Sequence, residues 1–174
     1  MEYCQTVLLK NGAACTVRAL FLQTHEETDF LASYADESTI DDAQEAEFLR
    51  HAAESARHAE LLAEVDGRIV GLAGITPVGD KDKMRHRAEF GISVARDAWG
   101  LGIGRALTAA CIESARRAGY AQVELSVVSD NGAAVALYDR AGFRMYGCNP
   151  KGFRTRDGQW QPLVLMRLEL TPTD

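Results

Sequence analysis

No run of eighteen or more apolar residues occurs in the chain, so no segment reads as a membrane-spanning helix. The opening residues MEYCQTVLLKNG have neither the basic start, the apolar centre nor the small-residue cleavage site of a secretory signal. The expectation is a soluble, cytoplasmic protein that engages no membrane. Cysteine is sparse and scattered: Cys4, Cys15, Cys111 and Cys148 share no CxxC spacing, which excludes a zinc pair or a dense disulfide framework and leaves free thiols. His25, His51, His58 and His86 form no HExxH or HxxxH pair, and the acidic side chains show no calcium-loop spacing, so no metal is expected. A concentrated basic surface is also missing. With a net charge of −6 and dispersed Lys and Arg, nucleic acid is not an expected partner, and a cationic small substrate is mildly favoured.

What is present is enough for one core. A chain of 174 residues with 47% apolar content buries a sizeable interior but is too short for two ordinary domains, so residues 1–174 are read as a single domain. The core is placed at about 17–170, with 1–12 as a peripheral segment containing the turn pair Asn11-Gly12. ACTVRAL (14–20) reads as a short strand on the alternation of Val17 and Ala19. From Thr24 to His58 an acid- and alanine-rich stretch, with Phe48, Leu49, Ala52 and Ala56 at helical spacing, predicts one or two amphipathic helices. LLAEV and RIVGLAGIT flank Asp66-Gly67, a strong hairpin signal.

AEFGISV (88–94) alternates apolar Ala88, Phe90, Ile92 and Val94 with Glu89, Gly91 and Ser93, the pattern of a strand with one apolar face. The loop ARDAWGLGIG follows, then a helix with Ile103, Ala106, Leu107, Ala110 and Cys111 on one stripe and Gly119 as its stop. VELSVV (123–128) is a further strand. Asp130 or Asn131 caps a helix running to about Ala141, Gly142 ends it, and 143–148 and 163–170 close the chain as strands around the loop 149–160. The resulting order, β, α, α, β, β, β, α, β, α, β, β, implies a mixed sheet with helices on both faces, since the hairpin must be antiparallel.

The glycine loop carries the chemistry. Gly100, Gly102 and Gly104 alternate just before a helix, which lets backbone N–H groups turn inward at the positive end of the helix dipole and suits a pyrophosphate. A tight strand-to-helix turn would need the same glycines for packing alone, so they leave both readings open. The dinucleotide pattern GxGxxG fails in either register, with Arg105 or Leu107 at its third position, and no Gly-Lys-Ser or Gly-Lys-Thr of a P-loop occurs.

Val94 at a strand end, then Gly102-Ile103-Gly104, resembles the Arg/Gln-x-x-Gly-x-Gly/Ala signature of the GNAT superfamily of N-acetyltransferases, with Trp99 where the family usually has Arg or Gln. A second element is similar to the family's strand, Asn, helix and Leu-Tyr-x-x-x-Gly-Phe: Asn131, Leu137, Tyr138, Gly142 and Phe143 are in register. The resemblance runs from about Val17 to Leu170 and is densest over 86–147. It implies an α/β (α+β mixed) GNAT fold, with a mostly antiparallel twisted sheet of about seven strands. It also implies acetyl-CoA as acyl donor with no metal, direct transfer to a primary amine on a small molecule or peptide, and a plausible homodimer. Cofactor contacts would fall on Ile92, Val94, Trp99, Gly100, Leu101, Gly102, Ile103, Gly104, Arg105, Asn131 and Tyr138.

Three chemical roles follow from that resemblance. Glu89, on the strand before the loop, is a candidate base for the protonated amine, with a water chain or a structural pair to Arg87 or His86 as alternatives. A backbone N–H of the Ile92–Val94 segment is placed to meet the oxyanion. Tyr138 stands at the family's general-acid position, although Ala134, Leu137, Tyr138 and Ala141 also make a plain core stripe, and Asn131 can cap its helix with or without binding the cofactor. Cys111 belongs to a buried stripe and offers no covalent route. The acceptor is expected between residues 36–59 and 149–160 and stays open among amino acids, polyamines, aminoglycosides and protein amines. A non-catalytic acyl-CoA sensor or structural subunit is the rival reading.

Overall fold

The computed structural model of the chain describes residues 13–170, so the expected peripheral segment and its Asn11-Gly12 turn lie outside the described residues. Strands β1 (Ala59–Val65) and β2 (Arg68–Pro77) form the expected hairpin. Asp66 and Gly67 both have positive φ, 50° and 78°, which is the mirror-image turn whose twist matches that of the strands it joins. β3 (Arg87–Val94) adds antiparallel to β2. β4 (Gln122–Val128), β5 (Arg144–Arg154) and β6 (Trp160–Glu169) complete a six-stranded sheet in the order β1-β2-β3-β4-β6-β5. Every pairing is antiparallel except β3 with β4, so the described residues hold six strands where about seven were expected.

Helices cover both faces. On one face, α3 (Ile103–Arg117) buries Ile103, Leu107, Cys111 and Ala115 against the sheet, joined by α4 (Gly132–Arg140) through Tyr138. On the other, α1 (Ala13–Glu27) and α2 (Asp42–Glu54) close a smaller cluster of Val17, Leu49 and Leu62. α2 starts at a reciprocal cap in which Gln44 N–H donates to the Asp41 carboxylate at 2.9 Å and Asp41 N–H donates to the Gln44 side chain at 3.0 Å.

Residues 14–20 are helical, a correction to the strand expected there. The buried positions are Val17, Leu20 and Thr24, spaced for a helix, while Ala19, half of the supposed alternation, is exposed. A seven-residue window was too short to tell the periods apart. The strand expected over 143–148 also extends farther, because β5 continues to Arg154 through a register shift between Asn149 and Phe153.

One departure from regularity positions the site. The parallel pair β3–β4 is in register only at Arg87 with Gln122, Ala88 with Val123 and Glu89 with Glu124. There Arg87 clamps the buried Glu124 carboxylate with two hydrogen bonds, one of 2.7 Å from Nη2, and Gln122 Nε2 adds a third at 2.8 Å. Beyond Glu89 the strands part. The edge of β3 from Phe90 to Val94 then has no strand beside it on that side, which leaves peptide groups to be satisfied by something else.

Candidate active site

The parted strands open a cleft of about 600 Å³. Its walls are Phe90–Val94 of β3 and Leu125–Val127 of β4, and it passes from one face of the sheet to the other. On the α3/α4 face it meets the glycine loop and the starts of both helices. On the α1 face it meets Thr24 and Thr28, the segment Phe30–Ala32, and Phe153 of β5.

The glycine loop leaves the start of α3 open. Gly100 and Gly102 have φ of 77° and 84°, conformations that cost an L-residue about 1–2 kcal/mol. Gly102 is the N-cap of α3 and no side chain caps that helix, so its first N–H groups are unclaimed at the positive end of the dipole. Trp99 lines the cleft while half exposed, and its indole N–H donates to the Val94 carbonyl at 2.7 Å. The Arg96 guanidinium lies 5.7 Å from the ring centroid. The loop is pinned from behind by Glu27, which accepts 2.7 Å from Arg96 N–H and 2.8 Å from Gln23. Trp99 thus ties the loop to the strand end through an indole, by a contact that sequence reasoning did not foresee.

Asn131 caps α4, its side-chain oxygen accepting from Ala134 N–H at 3.2 Å, and it also lines the cleft. Tyr138 follows two turns later and is 7% exposed. Its position is fixed by the way the helix ends. Gly142, at φ 101°, lets its own N–H reach the Asp139 carbonyl, while Phe143 N–H reaches Tyr138's carbonyl at 3.0 Å. The fully buried Phe143 ring then packs 6.0 Å from the Tyr138 ring, with Phe90 edge-on at 6.0 Å. Burial pushes the phenol's pKa up to about 12, so it holds its proton throughout the physiological range. Among the described residues nothing hydrogen-bonds the hydroxyl, and Tyr138 lines the cleft.

The structure brings Ile92, Val94, Trp99, Gly100, Gly102, Ile103, Gly104, Asn131 and Tyr138 together around one cavity. Glu89, Leu101 and Arg105 are exposed and do not line it. Glu89 falls within the last stretch where β3 and β4 are still in register, before the gap opens. Of the segments expected at the acceptor side, Phe153 reaches the cleft and Trp160 does not. The α1 wall was missed, because its signal, the apolar pair Phe30-Leu31 just after a helix, was obscured when that helix was read as a strand. Asp130 is the single charged residue among the described residues that line the cavity. Cys15 and Cys148 are exposed free thiols, Cys111 is buried in the core, and among the described residues no cluster of His, Cys, Asp or Glu is arranged for a metal. No described helix is long and apolar enough to cross a membrane.

A parted parallel pair beside a glycine-started helix leaves backbone donors open along one cleft, and comparison with known proteins shows which family the chain resembles. The profile of the acetyltransferase (GNAT) family matches residues 19–143. The chain therefore belongs to the GNAT family of acetyltransferases. An L-methionine sulfoximine/L-methionine sulfone acetyltransferase of Pseudomonas paraeruginosa is 31% identical over 111 residues, 64% of each protein. The chain spans from 27% to 64% of the length of curated relatives it matches. The crystal structure of a GNAT-family acetyltransferase from Streptococcus pneumoniae superposes with a TM-score of 0.90 at 26% identity, over 98% of this chain and all of that one. A phosphinothricin acetyltransferase from Sinorhizobium meliloti, solved in complex with acetyl-CoA, shares the fold at a TM-score of 0.77 and 20% identity, over 98% of this chain and 95% of its own.

Proposed function

We propose that the protein is an acetyl-CoA-dependent N-acetyltransferase that passes the acetyl group directly to a primary amine on a small molecule. The observation that carries this reading is the convergence in one cleft of the uncapped start of α3, the unpaired edge of β3 and the free hydroxyl of Tyr138. The α3 start holds the pyrophosphate. The β3 edge from Ile92 to Val94 hydrogen-bonds the pantetheine arm as a neighbouring strand would, and one of its N–H groups meets the oxyanion that forms as the amine nitrogen bonds to the thioester carbonyl. As the carbon–sulfur bond breaks, Tyr138 donates a hydrogen bond to the departing thiolate. With its pKa near 12 it stabilises the sulfur without giving up its proton permanently. The ammonium form of the acceptor loses one proton to water in the cleft before attack, and its nitrogen loses a second to water or to the departing thiolate as the amide forms, since Glu89 does not line the cavity.

Acetyl-CoA complexes among fold neighbours and amine acceptors in the names of relatives support the donor and the reaction. A cytoplasmic location goes with a coenzyme A thioester as donor. Thiol release from acetyl-CoA over an amine panel, beside a thermal-shift titration with the cofactor, tests the reading. Amine-dependent release is the expected result. Stabilisation without release by any amine would point to a non-catalytic sensor, and no stabilisation would end the cofactor assignment.

A further inference from the structure

The end of the cleft on the α1 face has a composition that selects among amines. Phe30, Leu31, Ala32 and Phe153 supply two phenyl rings and two aliphatic groups, with Thr28 beside them. Thr24, 2% exposed, already donates its hydroxyl to the Phe21 carbonyl at 3.1 Å. Among the described residues no charged side chain lines this end, and several of the charged side chains on its flanking segments are engaged elsewhere. Arg156 holds Asp36 at 2.5 Å and lies 4.1 Å over the Tyr34 ring. Lys151 and Arg154 each sit 5.2 Å over Trp160, outside the cleft, and Glu27 is occupied by Gln23 and the Arg96 backbone. Asp130 belongs to the other end, beside the cap of α4.

The wall is also held in place. Tyr34 hydroxyl accepts from Arg156 N–H at 3.0 Å, and Gln161 Nε2 donates to the Asp29 carbonyl at 3.1 Å. These links fasten the segment carrying Phe30 to the hairpin carrying Phe153. A carboxylate next to the amine would enter this end without a cation to meet it, and a second ammonium without an acid, each losing hydration uncompensated. An aromatic or branched aliphatic body would bury there, and burying a phenyl ring favours binding by about one to two orders of magnitude.

We infer that the acceptor is a primary amine on an aromatic or branched aliphatic body, with no carboxylate beside the amine. This rests on the transferase reading above. The test is kcat/KM for thiol release from acetyl-CoA with 2-phenylethylamine, L-phenylalaninamide, L-phenylalanine, L-methionine, ethylamine and spermidine. The two uncharged-bodied aromatic amines should exceed L-phenylalanine and spermidine by about tenfold or more. Phe153→Ala should shrink the ratio of 2-phenylethylamine to ethylamine by about tenfold. Free amino acids or spermidine performing as well or better would overturn the acceptor class while leaving the transferase in place, and so would an unchanged ratio in Phe153→Ala. Absence of release with every amine, despite stabilisation by acetyl-CoA, would instead overturn the transferase reading on which this one stands.

Discussion

Gly100 and Gly119 make a matched pair. Both have φ of 77°, and a Cβ added to either would meet nothing within 4 Å, so Gly→Ala introduces the same backbone strain and no clash. That strain is about 1–2 kcal/mol. The two sites differ in what holds them. Gly119 closes the Schellman end of α3, its N–H on Arg116's carbonyl at 3.0 Å and Tyr120 N–H on Ala115's at 3.1 Å, so the strain cannot relax without unravelling the helix end. Gly119→Ala should therefore lower Tm by about 2–8 °C and leave acetyl-CoA affinity alone. Gly100 stands exposed in the loop before α3, where the free protein can relax it, and the strain returns only when the loop must close on a ligand. Gly100→Ala should raise the Kd for acetyl-CoA about 5- to 30-fold with a smaller change in Tm. Calorimetric titration and thermal unfolding of both variants read the two quantities. Equal Kd values for the two variants would refute the loop's role as the phosphate cradle.

Three further outcomes are expected. Tyr138→Phe should reduce kcat by about 10- to 100-fold with little change in acetyl-CoA affinity, and the wild-type rate should show no titration from this residue below about pH 11; an unchanged kcat would remove it from the chemistry. Glu89→Gln should keep both rate and pH profile, whereas a tenfold loss would return the carboxylate to the site. Arg87→Met strips Glu124 of its main partner and should cost about 1–3 kcal/mol at pH 7, read as Tm. Because Arg87 lowers the Glu124 pKa, the pair's stabilisation is complete above the unfolded value near 4.5 and fades as pH falls through the folded one, so wild type and variant should converge in acid.

The parts of the fold that local chemistry dictates were legible. Asp66-Gly67 forces a mirror-image turn, Gly119 and Gly142 end their helices, and the alternation in 88–94 fixes a strand, so β1 to β4 and α3 and α4 stand where their residues place them. The start of the chain was not legible, because Thr16 and Val17 are β-branched and the helical spacing of Val17, Leu20 and Thr24 shows only over a longer window. In the candidate site, the glycine-loop and α4 walls of the cleft are made of neighbours in sequence, and their meeting around one cavity was legible. The acceptor side is joined across more than a hundred residues, as in the Arg156 to Tyr34 hydrogen bond, and no local pattern announces such a meeting. Trp99 shows a middle case: its place in the motif was evident, but its tie to Val94 depends on where the loop folds.

The parting of β3 and β4 also makes the sheet two three-stranded halves sharing a short seam, stitched by Arg87 and Glu124. On the proposed reading, a ligand whose amides lie along β3 would work as a temporary extra strand, bracing one half against the other. The stiffness of the whole sheet is then a property of the occupied enzyme rather than of the chain alone, and slower hydrogen exchange at Phe90–Val94 is where that bracing would be seen.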